Sequence, residues 1–279
     1  MCKDLPEIIT SLDNLRRSDK KLEQICMTSN GVGFTRKACL LRKCGLDSVT
    51  ISLDSLNPAR VKQLTGYPAF KQAFGAICAA LENGFDPVKV NCVVIREFND
   101  DEICDFVQLT KNLPIEVRFI EYTPFGGNKW DYKKLVSYGE MMDKLRNKFS
   151  LIGRIAAESS STAKIYRIEN WPGKVGFVTS MTDNFCSGCT RIRLTADGHL
   201  KPCLHSTDEV DLISTVRKAN PKDLQSPFLL QSLEREQELP SLCSVVEELN
   251  TLVDAAMNRK AKEHSGIMQC VNIFIPPLL

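Results

Sequence analysis

The chain has 279 residues, 43% hydrophobic and 25% charged, and its 36 basic and 34 acidic side chains leave a formal net charge of +2. That length is ample for one large domain or a barrel with an appendage, and the near-neutral balance gives no sign of bulk binding to nucleic acid or a membrane surface. No apolar run approaches the roughly 18 residues of a membrane helix, and the opening MCKDLPEIIT is neither a secretory signal nor an Arg-rich transit peptide.

Helical and strand patterns alternate from residue 4 to about 125. PEIITSLDNL predicts an amphipathic helix. LEQICMTSN predicts a strand ending in a turn at Asn30-Gly31, and TRKACLLRKCG a helix closed by Gly45. LDSVTISLD is a strand, AFKQAFGAICAALENG a helix ended by Gly84, and VKVNCVVIR a strand. DDEICDFVQLTKNL follows as a helix with an acidic first turn, then IEVRFIEYT as a strand. Val/Ile-rich strands separated by helices predict right-handed βαβ units and a parallel sheet. After residue 125 the pattern changes. GGNKWDYKKLVSYGEMMDKLRNKF predicts a loop and a helix, and ESSSTAKIYRIENWPGKVGFVTSM two shorter strands around a Pro-Gly turn. From 206 to 263 the chain reads as mostly helical.

In parallel α/β folds chemistry sits at the C-terminal ends of the strands. The polar residues at these ends are Thr28, Ser29 and Asn30, then Ser52 and Asp54, then Glu121. Lys89 and Arg118 lie inside their strands. A charge within an apolar parallel strand is costly unless it points into a polar lumen, so these two suggest a lumen built for an anionic ligand. The alternative is that each pairs with a nearby carboxylate such as Glu121.

Twelve cysteines are many for a chain without a secretory signal. Cys26, Cys39, Cys44, Cys78, Cys92 and Cys104 sit in apolar or helical stretches and are expected to be small buried hydrophobes, not a disulfide framework. Cys186, Cys189 and Cys203 differ. Their spacing, Cys-x2-Cys-x13-Cys, lets two thiolates bite one metal from a tight turn. The third returns on a hairpin turned at Asp197-Gly198. Three thiolates fit a four-iron cluster with one iron open, or a zinc site completed by another ligand such as His205. Arg191 and Arg193, two apart on a strand, would face one side and offer bidentate sites for phosphate or carboxylate. His199 is expected to be exposed, and His264 has no assigned role.

The stretch NFCSGCTRIRLTADGHLKPCL resembles the C-terminal cluster segment of the GTP 3',8-cyclases, radical S-adenosylmethionine enzymes that begin molybdenum cofactor biosynthesis. The resemblance extends through MTSNG, VTISLDSL, PVKVNCVVIREFNDDE, VRFIEYTPFGGNKW and SSSTAK, covers roughly residues 5 to 205, and is nearest to the animal form. It implies an α/β fold: an incomplete TIM-like parallel (β/α) barrel over 1–125, lacking its first strands, and a C-terminal iron–sulfur cluster domain with a helical tail over 126–279. It implies a [4Fe–4S] cluster on Cys186, Cys189 and Cys203 whose open iron faces the guanine of GTP. Thr28, Lys89, Arg118, Arg191, Ile192 and Arg193 would contact GTP, Ser52 and Thr123 S-adenosylmethionine; no residue is assigned as catalytic. The implied reaction is abstraction of a ribose hydrogen by a 5'-deoxyadenosyl radical, then attack of the carbon radical on purine C8. The family also implies the mitochondrial matrix, a homodimer or pairing with a full-length subunit, and a downstream cyclic pyranopterin monophosphate synthase.

The sequence departs from the family in several places. It contains no Cys-x3-Cys-x2-Cys motif for the cluster that reduces S-adenosylmethionine, and no Gly-Gly-Glu-Pro segment. It starts at what would be the second helix of the barrel. Thr123 stands where the family usually has methionine. Residues 225–246 look like an insertion, and IMQCVNIFIPPLL lacks a terminal Gly-Gly. The expectation is a fragment or splice form of a cyclase that does not turn over alone and exposes an apolar sheet edge. Two other readings remain: a GTP- and cluster-binding module without chemistry, and a zinc-stabilised structural protein.

Overall fold

The computed structural model of the chain describes residues 4–19, 22–124, 131–156, 161–183, 189, 191–204, 208–218 and 240–258. Two compact units divide it: Met1–Thr123 with Asp131–Phe185, and Pro124–Trp130 with Cys186–Leu279.

In the first unit helices and strands alternate. Helix α1 (Leu5–Asp19) precedes β1 (Cys26–Ser29), and α2 (Phe34–Lys43) leads to β2 (Ser48–Ser52). Helices α3 (Pro58–Thr65) and α4 (Phe70–Glu82) lead to β3 (Val88–Val94), and α5 (Ile103–Leu109) to β4 (Ile115–Glu121). A 3-10 turn, Tyr132–Lys134, and α6 (Tyr138–Lys148) come next. β5 (Ile152–Arg154), β6 (Ala163–Ile168) and β7 (Lys174–Val178) complete the unit. The seven strands form one sheet in the order β1-β2-β3-β4-β7-β6-β5, with β1 at one edge. β1 to β4 and β7 are parallel, and β6 and β5 extend the sheet antiparallel. The expected α/β class with a mostly parallel sheet is therefore present.

The local chemistry explains most boundaries. α2 and α4 stop just before Gly45 and Gly84, whose φ angles of 108° and 70° suit a glycine after a helix end. α6 starts in a capping box: the Ser137 hydroxyl accepts from the Glu140 N–H, and the Glu140 carboxylate accepts from the Ser137 N–H. α3 has no counterpart in the predicted elements. Its signal is Asn57-Pro58, where the Asn57 side chain caps the Ala59 N–H and the proline takes the first turn.

The sheet has two unlike faces. Val49, Ile51, Val88, Val90, Cys92, Val94, Val117, Phe119, Val175 and Phe177 lie in the main core with Phe34 and Leu41 of α2, Ala76 and Ile77 of α4, Phe106 of α5 and Met141 of α6. The alternate positions of the same strands are absent from that core. The cysteine expectation needs correction: Cys92 is buried, Cys44, Cys78 and Cys104 are half-buried, and Cys26 and Cys39 are exposed. Cys26 starts an edge strand, and Cys39 lies on the outer side of α2, so apolar neighbours in sequence did not put either inside.

The second unit contains a small sheet in the order β10-β9-β8, built from β8 (Arg193–Leu194), β9 (His199–Lys201) and β10 (Val210–Asp211), with α7 (Ile213–Val216) and α8 (Pro240–Asn258). Leu200, Val210 and Ala256 form its own core. The helical expectation after residue 206 missed β10. No helix among the described residues is long and apolar enough to cross a membrane.

Candidate functional site

The strand register collects the polar residues of the first unit on one face. Thr28 pairs with Thr50, Thr50 with Lys89, Lys89 with Glu116, and Glu116 with Lys174. One step toward the C-terminal ends, Ser52 pairs with Asn91, Asn91 with Arg118, and Arg118 with Gly176. Residues two apart share a face, so both rows look away from the helix-packed core. Thr28 and Ser52 are exposed, and Lys89, Asn91 and Arg118 are half-buried. Four candidates drawn from the sequence, Thr28, Ser52, Lys89 and Arg118, are thus on one surface.

Arg118 is paired, but not with Glu121. Its Nε donates to Glu116 two residues earlier on the same face. Glu121 points to the other face. It is 1% exposed and accepts from the N–H groups of Tyr138, Met181 and Thr182 and from the Thr182 hydroxyl. The alternative that Arg118 pairs with a nearby carboxylate holds, with Glu116 in place of Glu121, because an odd spacing in a strand reverses the side, whereas Glu116 is at an even one. Thr123, beyond the end of β4, contacts the Glu121 carbonyl and the Ser180 hydroxyl through its own hydroxyl.

The end of β2 is fixed by buried polar contacts. The Asp54 carboxylate accepts from the Val93 N–H at 2.8 Å, and the Asn99 amide donates to the Asp54 and Val93 carbonyls. Burial raises the Asp54 carboxyl above its ordinary range, opposed by that Val93 hydrogen bond. One buried polar atom on the face stays unsatisfied: Asn91 Oδ1 has no partner among the described residues. An orphaned buried acceptor is costly, and here it stands between Ser52 and Arg118. Sequence reading missed it, although the period that singled out Lys89 in VKVNCVV reaches Asn91 next.

In the second unit the hairpin forms with Arg193 opposite Lys201 and Leu194 opposite Leu200. Its turn is longer than the two residues expected. Thr195 N–H bonds to the His199 carbonyl and Gly198 N–H to the Thr195 carbonyl, leaving Ala196, Asp197 and Gly198 as a three-residue loop with Gly198 at φ 85°. Arg193 is in β8, while Arg191 and Ile192 precede the strand, so a shared strand face does not relate the two arginines. Arg191 and Ile192 are exposed. His199 is half-buried, not exposed, with Nδ1 3.4 Å from Asp197 Oδ2. Cys189 and Cys203 are free, half-buried thiols, a donor type that suits iron–sulfur ligation. Cys186, His205 and His264 lie outside the described residues.

Comparison with known proteins defines the class first: residues 2–110 match the Radical SAM superfamily and residues 115–240 match Molybdenum Cofactor Synthesis C. The chain is 36% identical over 245 residues to the GTP 3',8-cyclase of Alkaliphilus oremlandii, covering 88% of this chain and 73% of that one. It is 40% identical over 277 residues to the mitochondrial GTP 3',8-cyclase of Arabidopsis thaliana, covering 99% of this chain and 64% of the relative. It is 37% identical over 274 residues to human molybdenum cofactor biosynthesis protein 1, covering 98% of this chain and 39% of the relative. The chain belongs to the GTP 3',8-cyclase family. It spans less than two thirds of the plant relative and about two fifths of the human one.

Proposed function

We propose that this chain carries the substrate-binding surface and the C-terminal cluster segment of a radical S-adenosylmethionine GTP 3',8-cyclase. That enzyme converts GTP to (8S)-3',8-cyclo-7,8-dihydroguanosine 5'-triphosphate at the start of molybdenum cofactor biosynthesis. The supporting observation is the polar sheet face, where Thr28, Ser52, Lys89, Asn91 and Arg118 occupy adjoining register positions over an apolar opposite face. We read strands β1 to β4 as the wall of an incomplete barrel over residues 1–125, followed by the cluster and GTP-binding region over 126–279.

In this reading Lys89 and Arg118 bind anionic oxygens of GTP, and Thr28 donates or accepts through its hydroxyl. Arg118 keeps its Nε on Glu116, so its terminal N–H groups are turned to ligand. Arg191, Ile192 and Arg193 contact the nucleotide from the cluster segment. Ser52 and Thr123 contact S-adenosylmethionine, and the orphaned Asn91 Oδ1 fits a hydroxyl or amine donor of a bound ligand. S-adenosylmethionine, when bound and reduced, supplies the group that removes a ribose hydrogen. Cys186, Cys189 and Cys203 fit as ligands of a [4Fe–4S] cluster. No residue of this chain is assigned to the cluster that reduces S-adenosylmethionine, because the 279 residues contain no Cys-x3-Cys-x2-Cys motif.

A second reading is a GTP- and cluster-binding chain without chemistry of its own that regulates or pairs with a full-length subunit. The two readings share GTP and differ in turnover. A cyclic pyranopterin monophosphate synthase would act downstream, and the name of the Arabidopsis relative points to mitochondria. The test is equilibrium binding of GTP to the anaerobically reconstituted chain, then cyclisation assayed alone and with a full-length cyclase. GTP binding that falls on Lys89→Ala and Arg118→Ala supports both readings, and turnover alone selects the first. No GTP binding sinks both.

A further inference from the structure

We infer that Glu116 and Gly176 are positioning residues that set the direction of the Arg118 guanidinium, and that they shape the anion site through it. The inference rests on the proposed role of Arg118 in binding GTP. Arg118 is the Cα partner of Gly176 across β4 and β7. A Cβ added at Gly176 would stand 3.2 Å from Arg118 Cγ, 3.2 Å from Ile165 Cδ1 and 3.3 Å from Ala163 Cβ. The arginine stem therefore lies over the glycine, in space that any other residue would fill. Ile165 and Ala163 are buried, at 6% and 4% exposure. The Arg118 side chain is 19% exposed, so it is the neighbour with most freedom to give way.

Glu116 fixes the other end. It is 8% exposed and accepts from Arg118 Nε. An arginine held at Nε has one donor edge committed, while the terminal Nη groups make no hydrogen bond among the described residues. The stem is set by the glycine and the plane by the carboxylate. That leaves a pre-aimed pair of donors of the kind that binds a phosphate or carboxylate in bidentate fashion. Glu116 also lies between Lys89 and Lys174 in register.

The test uses the full chain with its arginines labelled by heavy nitrogen. The Arg118 Nε–H resonance is identified by its loss in Arg118→Lys, and GTP binding is measured in parallel. Gly176→Ala is expected to move that resonance and to weaken GTP about tenfold, with no further loss when added to Arg118→Lys. Glu116→Gln is expected to move the resonance as well, with the melting temperature showing that the sheet still folds. Should Gly176→Ala unfold, Glu116→Gln in both backgrounds carries the same comparison. A resonance unmoved by either change, or an equal loss of GTP binding with and without Arg118, overturns the inference. A chain that binds no GTP while the resonance still moves upholds the positioning and sinks the assignment of GTP instead.

Discussion

Glu121 and Thr182 are joined twice, because both the backbone N–H and the hydroxyl of Thr182 donate to the Glu121 carboxylate. The same carboxylate takes the N–H groups of Met181 and Tyr138, each at 2.8 Å. A single buried side chain at the end of β4 thus ties the start of α6 to the segment that follows β7. Nearby, Lys164 Nζ donates to the Thr179 hydroxyl and the Asp183 carbonyl, and holds that segment from β6.

Glu121→Ala removes the acceptor for four donors in a buried place. A loss of about 3 kcal/mol in folding stability is expected, and about half of that for Glu121→Gln, which keeps one oxygen. Urea unfolding of the three chains checks this, and equal midpoints would show that the contacts carry no net stability.

Asn91→Ala has the opposite character. Its Oδ1 satisfies nothing among the described residues, so truncation is expected to cost little stability. If the atom is reserved for ligand, binding of S-adenosylmethionine or GTP should weaken by about tenfold, the worth of one hydrogen bond of roughly 1.4 kcal/mol. Calorimetric titration with each ligand identifies which one uses it. Unchanged affinity for both removes Asn91 from the site.

Much of this fold is legible from period and punctuation. Alternating Val/Ile runs and the glycines at 45 and 84 locate β1 to β4 and the helices between them except α3, and the parallel order follows from the crossovers. What the sequence hides is partnership over distance. IEVRFIEYT looks like the last strand of a series, yet β7 pairs beside it after a 58-residue separation between Phe119 and its register partner Phe177 has been bridged by α6, β5 and β6 — no local signal encodes that insertion. The site is legible to a similar depth. Lys89 and Arg118 are visible as charges in apolar strands, but their surroundings depend on parity. Counting in twos gives Glu116 and Asn91; counting along the chain gives Glu121, which faces the other way. Gly176 carries no signal until its neighbour across the sheet is known.

Acid stability has a defined contributor in Glu140. The Ser137 N–H, the Ser137 hydroxyl and the Arg96 guanidinium hold its carboxyl down from the ordinary 4.5 to about 2, against some loss of hydration. A folded pKa below the unfolded one means that the contribution is present above pH 4.5 and is lost as pH falls toward 2. The melting-temperature gap between the wild type and Glu140→Gln should therefore be widest near neutral pH and close by about pH 2. A gap that is constant over that range would show that the charge is not involved.

Gly198 combines a left-handed backbone with a close approach. Its φ is 85°, and a Cβ there would lie 2.5 Å from the Cβ of Ile213. Its carbonyl also accepts from the Leu212 and Ile213 N–H groups at the start of α7. Gly198→Ala is expected to cost about 2 kcal/mol or more, through strain and overpacking together. Hydrogen exchange should show the β8–β9 pair losing protection while the seven-stranded sheet keeps its own. Undiminished protection at Thr195 and Gly198 would contradict the reading of this turn.

The most direct test of the whole account is the iron, acid-labile sulfide and zinc content of the anaerobically reconstituted chain, compared with Cys203→Ser. The expected result is about four irons with matching sulfide per chain, lost in the serine variant, as for one cluster on three thiolates. About one zinc and no sulfide would contradict it and make Cys186, Cys189 and Cys203 the ligands of a structural zinc site.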